Sequence, residues 1–392
     1  MLNFDLHTPT RMIYGKDEHK RIGKLLAPYA KKVLVHYGGA SAKKSGLLDQ
    51  VFDSLKAAGI EYVELGGVLP NPRVELAREG IKLAKKEKID LVLAVGGGSA
   101  IDSAKAIAVG YYYDGDIWDL YQDSIPPKKV LPVATILTIP AAGSESSIST
   151  VLTNEETQRK LGYNFEVLRP LLSIVNPELF FTVPKNQIAN GVADMMSHIF
   201  ERYFTNTKNT DLTDGFCEAA LKVIMKNALI VINDPTNYDA WFEIGFSGSF
   251  AHNNVLGVGR EQDWACHGME HELSAIYDVA HGAGLAVLTP AWMRYIYKEK
   301  MGIFLQFAQN VMGVTSGGRD HEYIINEGIN RLSDFFVKMG LPQTLHELGI
   351  DEENIELMAR RATGEEYNQR NLIGFFRKLD TPDVLAIYNS CK

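Results

Sequence analysis

Asp194 and His198 stand four residues apart in ANGVADMMSHIFERYF, so in a helix one carboxylate and one imidazole project from the same face. A second stretch, DWACHGMEHELSAIYDVAHGAG, carries His267, His271 and His281. Four of these five side chains could complete a ligand set. One carboxylate oxygen and three imidazole nitrogens suit a divalent transition ion such as iron(II), zinc, nickel or manganese, with positions left over for a substrate. HGMEHEL does not follow the HExxH pattern, because Gly268 rather than a glutamate follows His267, which removes a zinc peptidase. His7, His19, His36, His252, His321 and His346 each stand alone and read as surface or structural residues.

A second chemistry lies nearer the N-terminus. In IDLVLAVGGGSAIDSAKAIA, Gly96, Gly97, Gly98 and Ser99 separate an apolar strand from a helix. Glycines there let the backbone approach a ligand, and the free N–H groups of the helix start favour an anion such as a pyrophosphate. Asp102 and Lys105 follow within the first two turns. The competing reading is a tight turn serving packing alone, and the run is not a GxGxxG fingerprint. YGGASAKKSG follows another apolar strand and holds no acid to bond adenine-ribose hydroxyls. Gly38, Gly39, Ser41, Lys43 and Lys44 instead offer backbone donors, a hydroxyl and positive charge, which predicts NADP(H). A plain turn with a helix N-cap is the alternative there.

These groups need elements to hold them. Between residues 31 and 140 short apolar runs alternate with helical periodicity: KKVLVHY, IEYVEL and IDLVLAV as strands, and Val74 to Lys88 and Ala100 to Val109 as helices. That alternation is the signature of a mainly parallel sheet flanked by helices. VLPVATILTIP and LLSIVNP read as further buried strands ending at prolines. After Pro184 the pattern becomes helical, with breaks at Asp234-Pro235, Gly282 and Gly340-Leu341-Pro342. An α/β dinucleotide-binding domain over residues 1–183 and a helical, metal-binding domain over 184–392 are expected.

At 392 residues with 46% apolar content the chain can build two cores. A net charge of −8, with no dense Lys/Arg run, argues against a nucleic-acid surface and for small-molecule partners. Cys217, Cys266 and Cys391 are too scattered for a disulfide framework or a thiolate metal site. No signal segment or run of about 18 apolar residues is evident, so a cytoplasmic protein without a membrane partner is expected.

GGGSAIDSAK, LTIPAAGSES and the series Asp194, His198, His267, His281 together resemble the iron-containing alcohol dehydrogenase family over essentially the whole chain. YGGAS, GGVLPNP and QDWACHGMEHELSA resemble its NADPH-dependent butanol dehydrogenase or aldehyde reductase branch. The resemblance implies a dehydroquinate synthase-like architecture with the active site in the cleft between an N-terminal dinucleotide-binding α/β domain and an all-α domain. It implies Asp194, His198, His267 and His281 as metal ligands, with iron(II) or zinc foremost. It places Gly38, Gly39, Ser41, Asn71, Gly97, Gly98, Ser99, Asp102, Lys105, Thr138, Ser144 and Lys160 at the dinucleotide, and His271 near the substrate as a candidate proton relay. Trp264, Phe250, His252 and Leu256 are candidates for the substrate pocket. A primary alcohol/aldehyde pair is the implied substrate, aldehyde reduction with NADPH the implied direction, and a homodimer the implied assembly. FDLHTPTRMIYG is a candidate for a strand added to a neighbouring subunit. A lyase of the dehydroquinate synthase type shares the plan, but no Lys/Arg cluster for a phosphorylated sugar acid surrounds the histidines. A non-catalytic metal- or nucleotide-binding protein is the reading from another class.

Overall fold

The computed structural model describes residues 1–39, 41–367 and 371–392, with the Ser41 side chain outside that description. The chain divides into two compact units, residues 7–183 and residues 184–392, the latter joined by residues 1–6. The first six residues therefore pack away from the α/β unit with which their sequence position groups them. The Leu2 N–H donates to the Gly259 carbonyl at 2.7 Å and the Met1 ammonium to the Lys208 carbonyl at 2.6 Å.

In the first unit the strands are β1 Arg11–Tyr14, β2 Lys32–Tyr37, β3 Glu61–Leu65, β4 Leu91–Gly96, β5 Val133–Leu137, β6 Ser149–Asn154, β7 Arg159–Asn164 and β8 Leu172–Val175. The helices are α1 Ile22–Leu26, α2 Ser41–Lys44, α3 Leu47–Ala57, α4 Val74–Glu87, α5 Gly98–Gly110 and α6 Ile117–Asp123. Six strands form one parallel sheet in the order β1-β8-β5-β4-β2-β3, and β6 and β7 form an antiparallel hairpin. β1 pairs with β8 of its own chain and forms one edge of the sheet. Every residue of β4 and β5 is buried, as strands covered by helices on both faces must be. α4 turns Val74, Ala77, Gly80 and Ala84 inward. A Cβ on Gly80 would stand 2.3 Å from Ile107 Cδ1, so α4 and α5 meet closer than any larger residue allows.

From β2 the chain steps outward to β3, then returns to place β4 on the other side of β2. The carboxyl ends of β2 and β4 therefore flank the point where strand order reverses, the place where open α/β sheets take their ligands. Both glycine runs begin there.

The second unit comprises α7 Lys185–Tyr203, α8 Asp211–Val231, α9 Tyr238–His252, α10 Ala265–Tyr277, α11 His281–Ile296, α12 Met301–Asn310, α13 His321–Lys338, α14 Ile355–Thr363 and α15 Thr381–Ser390. α7 is buried along nearly its whole length from Ile188 to Tyr203. A Cβ on Gly282 would lie 1.9 Å from the Asn190 carbonyl oxygen, so the start of α11 rests directly on the α7 backbone. Phe204, Trp292, Phe304 and Phe307 interlock beyond, with Phe204 and Phe304 stacked at 4.6 Å. Among the described residues no helix is long and apolar enough to cross a membrane.

Candidate active site

The α/β unit brings the two glycine turns side by side. Gly38 and Gly39 follow the end of β2, Gly97 caps α5 in extended conformation, and a Cβ on Gly96 would stand 3.9 Å from the Gly38 nitrogen. A Cβ at 97 or 98 would sit tightly against Ile139 at 3.2 Å or Ala142 at 3.0 Å, so glycine at both positions keeps the α5 N-terminus close to the segment after β5. Ser99 lies half-buried in the first turn of α5, and Thr138 closes the other side, its N–H donating to the Gly96 carbonyl at 3.0 Å. No carboxylate follows Tyr37. Lys43 of α2 is nevertheless shared with Glu64 of β3, 3.7 Å away, an acid that the reading along the strand end did not bring in.

Asn71 and Lys160, 89 residues apart, meet because the Pro72 carbonyl accepts from Thr153 of β6, and Thr153 faces Lys160 across the hairpin. The Lys160 ammonium donates to Asn71 Oδ1 at 3.0 Å, and both residues are buried. Asn71 is in the left-handed region at φ +52°, where asparagine is tolerated better than most residues.

Asp102, Lys105 and Ser144 also converge, but on one another. The Ser144 hydroxyl donates to Asp102 Oδ1 at 2.5 Å, and the Val151 N–H donates to Asp102 Oδ2 at 3.1 Å. The fully buried Lys105 ammonium donates to the carbonyls of Ser144, Ser147 and Ser149 at 2.7, 3.0 and 2.8 Å. These bonds let Lys105 tether the segment after β5 to α5. Burial pulls its pKa down to about 8, against the opposing influence of Asp102 and Glu145.

In the helical unit Asp194, His267 and His281 offer ligand atoms that all lie within 4.8 Å of one another. The Nε2 atoms of His267 and His281 are each 3.8 Å from Asp194 Oδ1. His198 stands beside this trio with Nδ1 3.5 Å from the same oxygen. Asp194 Oδ1, His198 Nδ1 and His267 Nε2 are buried without a hydrogen-bond partner. Each such atom costs about 1–3 kcal/mol if left so. A divalent ion held by the trio would satisfy Asp194 Oδ1 and His267 Nε2, so these donors fit the metal that the spacing suggests, while His198 lies outside the trio. His271 lies one turn from His267, its ring 5.7 Å from that of His281 and outside the trio.

Burial keeps His198 far below the ordinary histidine range, and its neighbours His252, His267 and Arg202 reinforce this. Burial works against protonation of His267 as well, but Asp194 and Glu201, one on each ring nitrogen, outweigh it and raise the group to about 9. Of the pocket candidates, His252 and Trp264 reach the site. His252 stacks on His198 at 4.1 Å, and Trp264 meets the His267 ring edge-on at 5.1 Å. His252 is thus no solitary structural histidine. Phe250 packs against Phe246 at 4.8 Å, and Leu256 is buried. Three neighbours escaped the sequence reading: Glu201, Glu270 and Arg202. Glu201 accepts from the backbone N–H and Nδ1 of His267, both at 3.0 Å, and from the Trp264 N–H at 2.7 Å. Glu270 accepts from His281 Nδ1 and from the Ser274 hydroxyl. Arg202 donates to His252 Nδ1 at 3.1 Å. Glu201 follows His198 by three residues, and Glu270 follows His267 by three. That same-face spacing was the available signal.

A glycine cradle in one unit and, in the other, a cluster of one carboxylate and two imidazoles with His198 beside it suit a metal-dependent oxidoreductase. Sequence profiles agree: iron-containing alcohol dehydrogenase matches residues 9–177, and the C-terminal part of the Fe-containing alcohol dehydrogenase family matches residues 188–391. The chain belongs to the iron-containing alcohol dehydrogenase family, and its activity is alcohol/aldehyde oxidoreduction with a nicotinamide cofactor and an iron-type metal. It is 42% identical over 389 residues to NADH-dependent butanol dehydrogenase A of Clostridium acetobutylicum, covering 99% of each chain. It is 34% identical to the NADPH-dependent aldehyde reductase YqhD of Escherichia coli, covering 95% of each. The crystal structure of NADH-dependent butanol dehydrogenase A from Thermotoga maritima is similar at a TM-score of 0.95 and 40% identity, over 100% of this chain and 99% of that one. The fold is accordingly dehydroquinate synthase-like, with a parallel-sheet α/β unit and a helical unit.

Proposed function

We propose that this protein reduces a small aldehyde to the primary alcohol with NADPH, using one divalent ion held by Asp194, His198, His267 and His281. The observation that carries this reading is the meeting of Asp194, His267 and His281 within 4.8 Å, with Asp194 Oδ1 and His267 Nε2 buried and without a hydrogen-bond partner. Iron(II) and zinc suit the set best, and nickel or manganese also fit one oxygen and three nitrogens. When bound, the metal polarises the substrate oxygen while the nicotinamide exchanges hydride with the substrate carbon.

The rest is the work of the chain. Asp194 would supply the one negative ligand beside the neutral imidazoles. His271 hands the product oxygen its proton in reduction and takes it back in oxidation. His252 and Trp264 line the substrate side. Gly97, Gly98 and Ser99 hold the pyrophosphate at the α5 N-terminus. Gly38, Gly39, Ser41 and Lys43 receive the adenine ribose, while Asn71, Thr138, Ser144 and Lys160 flank the cofactor. The preference for NADPH rests on the absence of a carboxylate after Tyr37 and on the Lys43 charge, which Glu64 offsets in part. A homodimer working in the cytoplasm belongs to the same reading.

The test is to mix metal-analysed protein with butanal and either NADPH or NADH, before and after chelation, and then after adding back iron(II) or zinc. Activity lost on chelation, restored by one ion and higher in kcat/KM with NADPH supports the whole reading. A higher kcat/KM with NADH overturns the coenzyme assignment alone. No turnover with any ion, despite tight NADPH binding, overturns the simple aldehyde reductase.

A further inference from the structure

Two of the clustered histidines share an arrangement that the ligand set itself does not require. Each has a buried carboxylate at Nδ1: Glu201 for His267 and Glu270 for His281. An ionised carboxylate only accepts, so in each pair Nδ1 carries a proton and Nε2 is the nitrogen left to bind a metal. Both Nε2 atoms face Asp194 Oδ1, at 3.8 Å. The carboxylates also come from different helices than the rings they hold. Glu201 lies on α7 and reaches His267 on α10, and Glu270 lies on α10 and reaches His281 at the first position of α11. Room for Glu270 is specifically left: a Cβ on Gly284 would stand 2.8 Å from Glu270 Cγ. Glu201 is 3% exposed and Glu270 0%, so both charges act without water between them and the rings.

Building on the metal-site reading above, we propose that Glu201 and Glu270 are positioning residues for the metal. Each fixes the tautomer and the ring orientation of one histidine. Together they join α7 to α10 and α10 to α11, so that each helix sets the ligand of the next. Neither glutamate touches the ion or the substrate. Hydrogen-bonded carboxylates behind metal-bound histidines make the imidazole a better donor, and their loss weakens metal binding by about 10–100-fold.

E270Q is the discriminating variant, because glutamine keeps the shape, accepts from His281 Nδ1 through its carbonyl and donates from its amide to Ser274. The measurement is competition for zinc(II) alone between protein and a chromogenic chelator, without coenzyme or substrate, beside the melting temperature of the metal-free protein. Expected are one zinc per chain in wild type and in E270Q, an affinity 10–100-fold lower in E270Q, and an unchanged metal-free melting temperature. E201Q sets an amide against the Trp264 N–H, so a similar loss of zinc affinity is expected together with a lower metal-free melting temperature. Wild-type zinc affinity in E270Q overturns the positioning role while leaving the ligand set standing. Failure of the wild type to take up zinc, or equal uptake by D194N, overturns the ligand set and the inference with it.

Discussion

Lys105 is fully buried, so its charge must be met by protein groups. It is held by the carbonyls of Ser144, Ser147 and Ser149 and the Ser144 and Ser147 hydroxyls, from the segment after β5 and the first residue of β6, with Asp102 one turn earlier on α5. Replacing such a lysine leaves several buried acceptors without a donor and a carboxylate without its balancing charge. K105M is therefore expected to lose about 3 kcal/mol of stability, measured as the shift in chemical denaturation of the α/β unit. NADPH binding should weaken only as far as Ser144 and Asp102 loosen. A variant with wild-type stability and a collapsed NADPH affinity would instead show that the ammonium reaches the dinucleotide. GGGSAIDSAK names Lys105 by type and position, but its spacing does not say whether the charge faces a ligand or the backbone behind it.

Elements meet where side chains are small enough or polar enough to allow it. At Gly282 the α11 start rests on Asn190 of α7, and one residue earlier on α11 stands His281. Gly282→Ala must push the two helices apart, at a cost of about 1–3 kcal/mol, and the displacement falls on a ligand. Lower zinc content after dialysis, with the α/β unit unaffected, is the expected outcome, and full zinc occupancy would contradict it. His36 plays the corresponding part in the sheet. Its Nδ1 donates to the Leu65 carbonyl at the end of β3, and its Nε2 accepts from Ser103 of α5, both at 2.8 Å. Burial lowers its pKa to about 4 from an ordinary 6.5. Between those values the unfolded chain binds the extra proton, so stability is complete above about pH 6.5 and declines as pH falls towards 4. About 2 kcal/mol should be lost by pH 5 relative to pH 8, and His36→Gln should remove most of that slope in urea melts at the two pH values. These elements were legible to different degrees. Apolar runs such as LVLAV and amphipathic periods such as Val74 to Lys88 announce β4 and α4 because burial alone decides them. The polar hairpin strands STVLTN and RKLGYN carry no such signal, which is why Lys160 could be named without its strand. For Glu201 and Glu270 the spacing from His198 and His267 signals only the shared helix face; their partners, His267 and His281, lie on other helices, which helical spacing does not report.

For the molecule as a whole, the division into residues 7–183 and 184–392 separates the two kinds of ligand. Every residue assigned to the dinucleotide lies in the first unit, and every residue assigned to the metal lies in the second. A ligand that binds only the folded form stabilises the unit that holds it by about 4 kcal/mol at a thousandfold excess over Kd. The two stabilisations should therefore be separable by amide hydrogen exchange. Zinc(II) alone is expected to slow exchange in peptides covering residues 190–202, 265–277 and 281–290. NADPH alone is expected to slow exchange around residues 91–105 and 133–144. Chelation should reverse the first set and leave the second in place. Zinc protection appearing first in the sheet, or NADPH protection confined to α7 and α10, would contradict the assignment of residues to ligands in both units. Because exchange reports each segment separately, it does not require the chain to unfold in one step, which a two-unit protein is not expected to do.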